Sequence, residues 1–398
     1  MATDRARRSQ RPATARGIAV LAVLAAERGA RANVELPRLL QASSLDQRDR
    51  AFATELSYGT LRMCRACDWL VGQFARGDLE PEVRAAARIG AYQLAFMNVP
   101  AYAAVSATVA ECPPRARALL NAVLRRVAGL VESGSLVWPD EGTRLSYPDW
   151  VMARLAEDLG RAPALAALVQ MNVAATVHTR PDGYVQDPAS QQVATHMAAL
   201  LAGAPPGPVL DLCAGPGGKA TALVGSSKFV VAFDVRADRA SQVRANAKRL
   251  QLANVGVVVS DGRAPAARAE SFSGVLVDAP CSGLGALRRR PDARWRVRPH
   301  DIDRLALLQR DLLVGAASLV APGGLLVYSV CTLTLAETRD IDEWLDPALA
   351  EATGVPWQAE ARPGPPWEPL GRGALLLPQA MGTDGMYMLS LRRGRAAA

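Results

Sequence analysis

The sequence predicts two domains of different class: an all-α domain first, and an α/β domain with a parallel sheet after it. Residues 1–130 hold Ala-, Leu- and Arg-rich stretches without an extended Val/Ile run. From about residue 205, short apolar runs alternate with helically spaced ones, which is the pattern of strands covered by helices on both faces. Between these regions, residues 129–150 carry Ser, Gly and Pro and mark a boundary. The expected division is therefore 1–130, an intervening segment 131–200, and 201–398.

In the first region, helix breaks are expected at Gly29, Pro37, Pro81, Pro100 and Pro113–Pro114. Residues 18–26 form an apolar run behind Arg5, Arg7, Arg8 and Arg11, superficially like a secretion signal. Glu27, Arg28 and Arg31 follow at once, with no small-residue cleavage site, so the run reads as a first core helix behind a basic, disordered tail. A cytoplasmic protein is expected.

In the second region the expected strands are 209–212, 229–233, 255–259, 275–277 and 325–330. Ala240, Val243, Ala247 and Leu250 keep helical spacing, as do Leu305, Leu308, Leu312, Ala316 and Leu319. The charge balance, 46 Lys+Arg against 38 Asp+Glu, gives a net charge of +8 and raises the odds of a polyanionic partner. Half the residues are hydrophobic and 21% are charged, which excludes a disordered or fibrous chain. Six irregularly spaced cysteines read as reduced thiols. Cys64 and Cys67 form the one CxxC pair, and with three histidines in the chain no metal site is expected.

The first strand of the α/β region runs into Asp211-Leu-Cys-Ala-Gly-Pro-Gly-Gly-Lys219. This is neither G-x-G-x-x-G nor a P-loop, because Ala220 follows Lys219. Gly215, Gly217 and Gly218 nonetheless let the backbone approach a ligand. Asp234 ends the second strand, where a carboxylate can accept from both ribose hydroxyls, and Asp261 after the third suits an adenine amino group. Together they describe a nucleoside-cofactor site.

Strand four ends Asp278-Ala-Pro-Cys281 and strand five ends Ser329-Val-Cys331-Thr332. Both cysteines fall in polar loops at the carboxyl edge of the sheet, which suits a reactive thiolate better than a packed one. A thiol beside a methyl donor fits methylation of an aromatic carbon. Cytosine C5 is a poor nucleophile until a thiolate adds at C6. Asp278 is placed to hydrogen-bond N3 of such an adduct.

These motifs, in this order, resemble the Nop/Sun family of RNA 5-methylcytosine methyltransferases, and within it the Fmu/Sun-type branch that acts on small-subunit ribosomal RNA. The likeness includes Val185-Gln-Asp-Pro-Ala-Ser-Gln191, the loop to Lys219, the two cysteine motifs, Arg289-Arg-Pro-Asp-Ala-Arg-Trp295 and the closing Gly382-Thr-Asp-Gly-Met-Tyr387. Earlier, Arg48-Asp-Arg-Ala-Phe52, Tyr58-Gly-Thr-Leu61 and Asn121-Ala-Val-Leu-Arg-Arg126 resemble a NusB-like RNA-binding domain.

The resemblance implies a NusB-like helical domain followed by a Rossmann-like, S-adenosylmethionine-dependent methyltransferase domain. It implies Cys331 as nucleophile and Cys281 as the residue that helps release product. It also implies a cofactor held by Cys213, Ala214, Gly215, Pro216, Gly217, Gly218, Lys219, Asp234, Asp261 and Asp278, with Lys219 stabilising developing charge. Arg289, Arg290, Arg294 and Trp295 are expected to contact RNA, as a basic loop interleaved with an aromatic. The expected partner is RNA, with no membrane, and the chain is expected to act as a monomer.

This sequence departs from the family pattern in places. Residues 173–185 are all that stands for a longer RNA-contacting segment, and Asp234 arrives early, so the helix after Lys219 is expected to be short. Two rival readings are a non-catalytic RNA-binding or assembly protein on a methyltransferase scaffold, and a nicotinamide-dependent oxidoreductase. The paired cysteines argue against both, and the missing G-x-G-x-x-G against the second.

Overall fold

The computed structural model describes residues 14–395, so the arginine-rich tail before them lies outside the described residues. The chain falls into two compact units. One takes the chain up to Met152 together with Leu287–Arg296; the other takes Ala153–Ala286 and the chain from Val297 onward. The first unit thus extends past residue 130 and recruits ten residues from far downstream.

The first unit is built from α1 (Ala15–Glu27), α2 (Ala32–Gln41), α3 (Gln47–Arg62), α4 (Cys64–Gly72), α5 (Pro81–Phe96), α6 (Ala101–Ala110), α7 (Arg117–Glu132) and the short α8 (Glu141–Leu145). The apolar run does form the first core helix: Ile18, Ala19, Val20, Ala22, Val23 and Leu24 are buried. Its start is set by Thr14, whose hydroxyl accepts from Gly17 N–H at 2.9 Å. Asp46 caps α3 in the same way through Asp49 N–H at 2.8 Å. Pro81 opens α5 and Pro100 flanks α6, where a missing N–H leaves nothing unpaired.

Pro37 does not break its helix, contrary to the expectation, and lies inside α2. The cost is one intrahelical hydrogen bond. Adjacent Leu36 is buried in a cluster with Ala15, Ile18, Ala22, Leu45 and Ala53, and that burial keeps the turn helical. No helix of the described residues is long and apolar enough to cross a membrane.

The segment expected as an intervening linker is largely helical, with α9 (Asp149–Leu159), α10 (Arg161–Gln170) and α11 (Pro188–Leu201). Asp187 fixes the start of α11 by accepting from Ala189 N–H at 3.0 Å.

The strands of the second unit are β1 (Val209–Asp211), β2 (Val230–Asp234), β3 (Val255–Val259), β4 (Phe272–Asp278), β5 (Val320–Val330), β6 (Trp357–Ala359), β7 (Glu368–Leu370), β8 (Gly373–Leu376) and β9 (Met386–Arg393). They form one sheet in the order β3-β2-β1-β4-β5-β9-β8-β7, with β6 also on β9. The first five are parallel and β9 runs antiparallel to β5.

Leu276, Leu325 and Val327 point to the face covered by α11, where they meet Val193 and Met197. Their neighbours Val275, Val277 and Tyr328 are buried on the opposite face, the side of the long helix Pro299–Leu319. The chain builds β1, β2 and β3 outward and then returns to add β4 on the other side of β1. That reversal opens a crevice beyond the carboxyl ends of β1 and β4, the usual ligand position in such a sheet.

Candidate active site

The β1 loop is shaped for close approach. Gly217 has φ +108°, and a Cβ at Gly215 would come within 2.5 Å of Asp234 Oδ2. The helix after the loop, α12 (Gly218–Ala222), is a single short turn before a 3₁₀ segment, as its spacing to Asp234 requires. Asp234 ties two turns together, accepting from Gly215 N–H at 3.0 Å and from Arg236 N–H at 2.9 Å. Cys213 is packed, its thiol pushed up by burial and then by Asp211. Asp261 is half-engaged by Arg263, which pairs with it at 2.6 Å and holds its carboxyl below the usual range.

Asp211, at the end of β1, is fully buried, and its Oδ1 has no hydrogen-bond partner among the described residues. Burial, and then the charge of Asp278, push its carboxyl up to about 7. An orphaned acceptor beside a glycine turn, with carboxylates at the next two strand ends, fits a nucleoside cofactor rich in donors.

At the ends of β4 and β5 the structure brings four of the expected residues together. Cys281 Sγ and Cys331 Sγ lie 3.4 Å apart. Lys219 Nζ donates to Asp278 Oδ2 at 2.6 Å, and Ser329 Oγ donates to Asp278 Oδ1 at 2.8 Å. The Cys281 thiol is pushed well up, first by its hydrogen bond to Cys331 and then by burial, so it stays protonated. The two sulfurs are close enough for an S–H···S hydrogen bond in which either can be the donor.

Arg180 and Tyr184 were not foreseen. The Arg180 guanidinium donates to Gly218 O at 2.6 Å, Gln186 Oε1 at 3.0 Å and Thr221 Oγ1 at 3.0 Å, and packs over the Tyr184 ring. The short segment before Gln186 therefore fastens the glycine turn from outside. The neighbouring Gln186-Asp187-Pro188 motif was the one sequence signal near it.

Two of the expected RNA contacts are corrected. Arg294 is fully buried in the helical unit, its guanidinium 3.9 Å above the Tyr147 ring and donating to Arg62 O at 3.2 Å and Ser146 O at 3.1 Å. Burial lowers its pKa to about 10. Trp295 Nε1 donates to Leu61 O at 2.7 Å, so the indole is a packing anchor there. Nearby, Arg62 donates to Arg288 O at 3.3 Å and Asp292 Oδ2 accepts from Ala32 N–H at 3.5 Å. Arg289 and Arg290 remain exposed.

Arg294→Ala should cost about 3 kcal/mol of stability, because it opens a cavity and leaves buried carbonyls unpaired. Denaturant unfolding of the variant reads this directly. Unchanged stability with weakened RNA binding would restore Arg294 to the RNA surface.

Residues 198–392 match the family described as 16S rRNA methyltransferase RsmB/F, and residues 13–129 match the NusB family. The chain is 35% identical to the ribosomal RNA small subunit methyltransferase B of Thermus thermophilus, over 98% of this chain and 100% of that one. It is 31% identical to the protein of that name from Salmonella enteritidis, over 86% and 93%. Among solved structures, PH0851 shares the fold with a TM-score of 0.72, covering 95% of this chain and 98% of that one at 20% identity.

Proposed function

The chain belongs to the 16S rRNA methyltransferase RsmB/F family, and from that premise we propose that it methylates C5 of a cytosine in small-subunit ribosomal RNA through a covalent Cys331–C6 adduct. The observation that carries the reading is the pair of thiols 3.4 Å apart beside the cofactor crevice. The methyl donor is S-adenosylmethionine, held by the 213–219 loop with Asp234, Asp261 and Asp278.

In this mechanism the Cys331 thiolate forms the S–C6 bond as the C5–C6 π bond of the base opens. As C6 is attacked, the Asp278 carboxyl gives its proton to N3 and then accepts the N3–H as a carboxylate, which the Lys219 ammonium steadies at 2.6 Å. The bound cofactor supplies an electrophilic methyl group, which the enamine-like C5 receives. A water molecule then takes the C5 proton, the C5–C6 double bond re-forms as the S–C6 bond breaks and the Cys331 sulfur leaves as thiolate, and the N3 proton returns to the Asp278 carboxylate. Cys281, in contact with that sulfur, assists its departure. A paired target base has to be unstacked, or already single-stranded, for the thiol to reach C6.

The test is transfer of labelled methyl from S-adenosylmethionine to unmodified small-subunit ribosomal RNA, followed by digestion to nucleosides. Label in 5-methylcytidine is the expected result. Label on another atom would overturn the reading, and neither label nor cofactor binding would identify an RNA-binding scaffold instead.

A further inference from the structure

We propose that Glu337 is the positioning residue that sets the Cys281–Cys331 pair, an inference that rests on the covalent mechanism above. Glu337 is fully buried in the 3₁₀ turn Leu335–Glu337. Its carboxylate reaches the residue that follows each cysteine. Oε1 accepts from Ser282 N–H at 2.8 Å, and Oε2 accepts from Ser282 Oγ at 2.6 Å and from Thr332 Oγ1 at 3.1 Å. Ser282 and Thr332 hydroxyls also lie 2.7 Å apart. Thr334 Oγ1 adds a third hydroxyl at 2.8 Å.

The residue before Cys281 is held by the same group. Gln309 Nε2 donates both to Pro280 O at 2.9 Å and to Glu337 Oε1 at 3.1 Å, and the Tyr328 hydroxyl donates to Gln309 Oε1 at 2.9 Å. Gly285 N–H to Cys331 O at 3.0 Å is a further, backbone link between the two loops.

No cation pairs with this carboxylate in these contacts; five neutral donors surround it. Burying a charge on neutral donors is costly unless its geometry is fully used. A core needing only stability would be served as well by apolar side chains of the same volume. The arrangement instead ties two loops that diverge from neighbouring strands, at the one point where two sulfurs must meet. Glu337 acts through Ser282 and Thr332, the residues that follow the two cysteines.

The test uses the full chain with Glu337→Ala and Glu337→Gln. Diamide oxidises two adjacent thiols to a disulfide and is itself reduced to the hydrazine, so its cross-linking rate reads the sulfur–sulfur approach without RNA or cofactor. In Glu337→Ala, the rate of Cys281–Cys331 cross-linking should fall at least about tenfold and kcat about a hundredfold, with KM for S-adenosylmethionine within about twofold. Glu337→Gln keeps a carbonyl acceptor for Ser282 N–H and offers its amide to hydroxyls that can accept, so it should recover most of both.

If Glu337→Ala does not fold, Ser282→Ala combined with Thr332→Val cuts the same tethers from the other side and carries the same expectations. A folded variant that cross-links as fast as wild type, whatever its kcat, would overturn the proposal. Wild-type protein that transfers no methyl to cytosine would sink the covalent reading instead, and the cross-linking comparison would stand apart from it.

Discussion

Cys331→Ala is expected to lower methyl transfer at least about a thousandfold while leaving the dissociation constant for S-adenosylmethionine within about twofold. The reasoning is chemical before it is structural. Without addition at C6, C5 of cytosine has no route to enough electron density, so no other residue substitutes for the lost nucleophile. In the proposed site the cofactor cradle, by contrast, is made by the 213–219 loop and the carboxylates at the strand ends, and Cys331 Sγ is in contact with Cys281. Calorimetric titration of the variant with cofactor, beside the transfer assay, separates the two. If binding and transfer fell together, the Cys331 side chain would be a structural support of the crevice.

Cys281→Ala is expected to trap the reaction at its other end. The adduct should still form and accept the methyl group, but the S–C6 bond should break slowly. A protein–RNA band that survives denaturing electrophoresis should accumulate, with turnover down about a hundredfold. Cys281 Sγ lies 3.4 Å from the sulfur that leaves in the proposed mechanism. A stable band from Cys331→Ala, and none from Cys281→Ala, would exchange the two roles.

The parallel half of the sheet was legible because each of its strands contains a short apolar run, buried in β1, β2, β4 and β5 and half-exposed in the edge strand β3. The 255–259 run is recovered residue for residue, and 275–277 and 325–330 lie inside longer strands. The antiparallel strands β6 to β8 were not read, since three- and four-residue pieces such as Glu368–Leu370 carry no periodicity of their own.

In the site, glycines and cysteines betrayed themselves by type and by position after a strand. Glu337 did not, because the partner that gives it meaning, Ser282, lies 55 residues away. Arg294 and Trp295 were misread for a related reason. Arginines around an aromatic have the composition of an RNA-binding loop, and only the fold shows Tyr147 under one guanidinium. A buried cation held by carbonyls and a ring has the same letters as an exposed one.

The ten residues from Leu287 to Arg296 have a consequence for dissection of the molecule. They belong to the helical unit, yet they are encoded inside the catalytic half. A gene cut once, anywhere near residue 152, yields an N-terminal fragment lacking the strip that fills its own interior and a C-terminal fragment carrying that strip with its arginine and indole stripped of their partners. The N-terminal half is therefore not a whole unit, and the C-terminal half carries a strip that belongs to the other. Evolutionary exchange of the front region for another would have to replace two stretches of coding sequence together, and fragments made for separate study should be mixed to recover what each has lost.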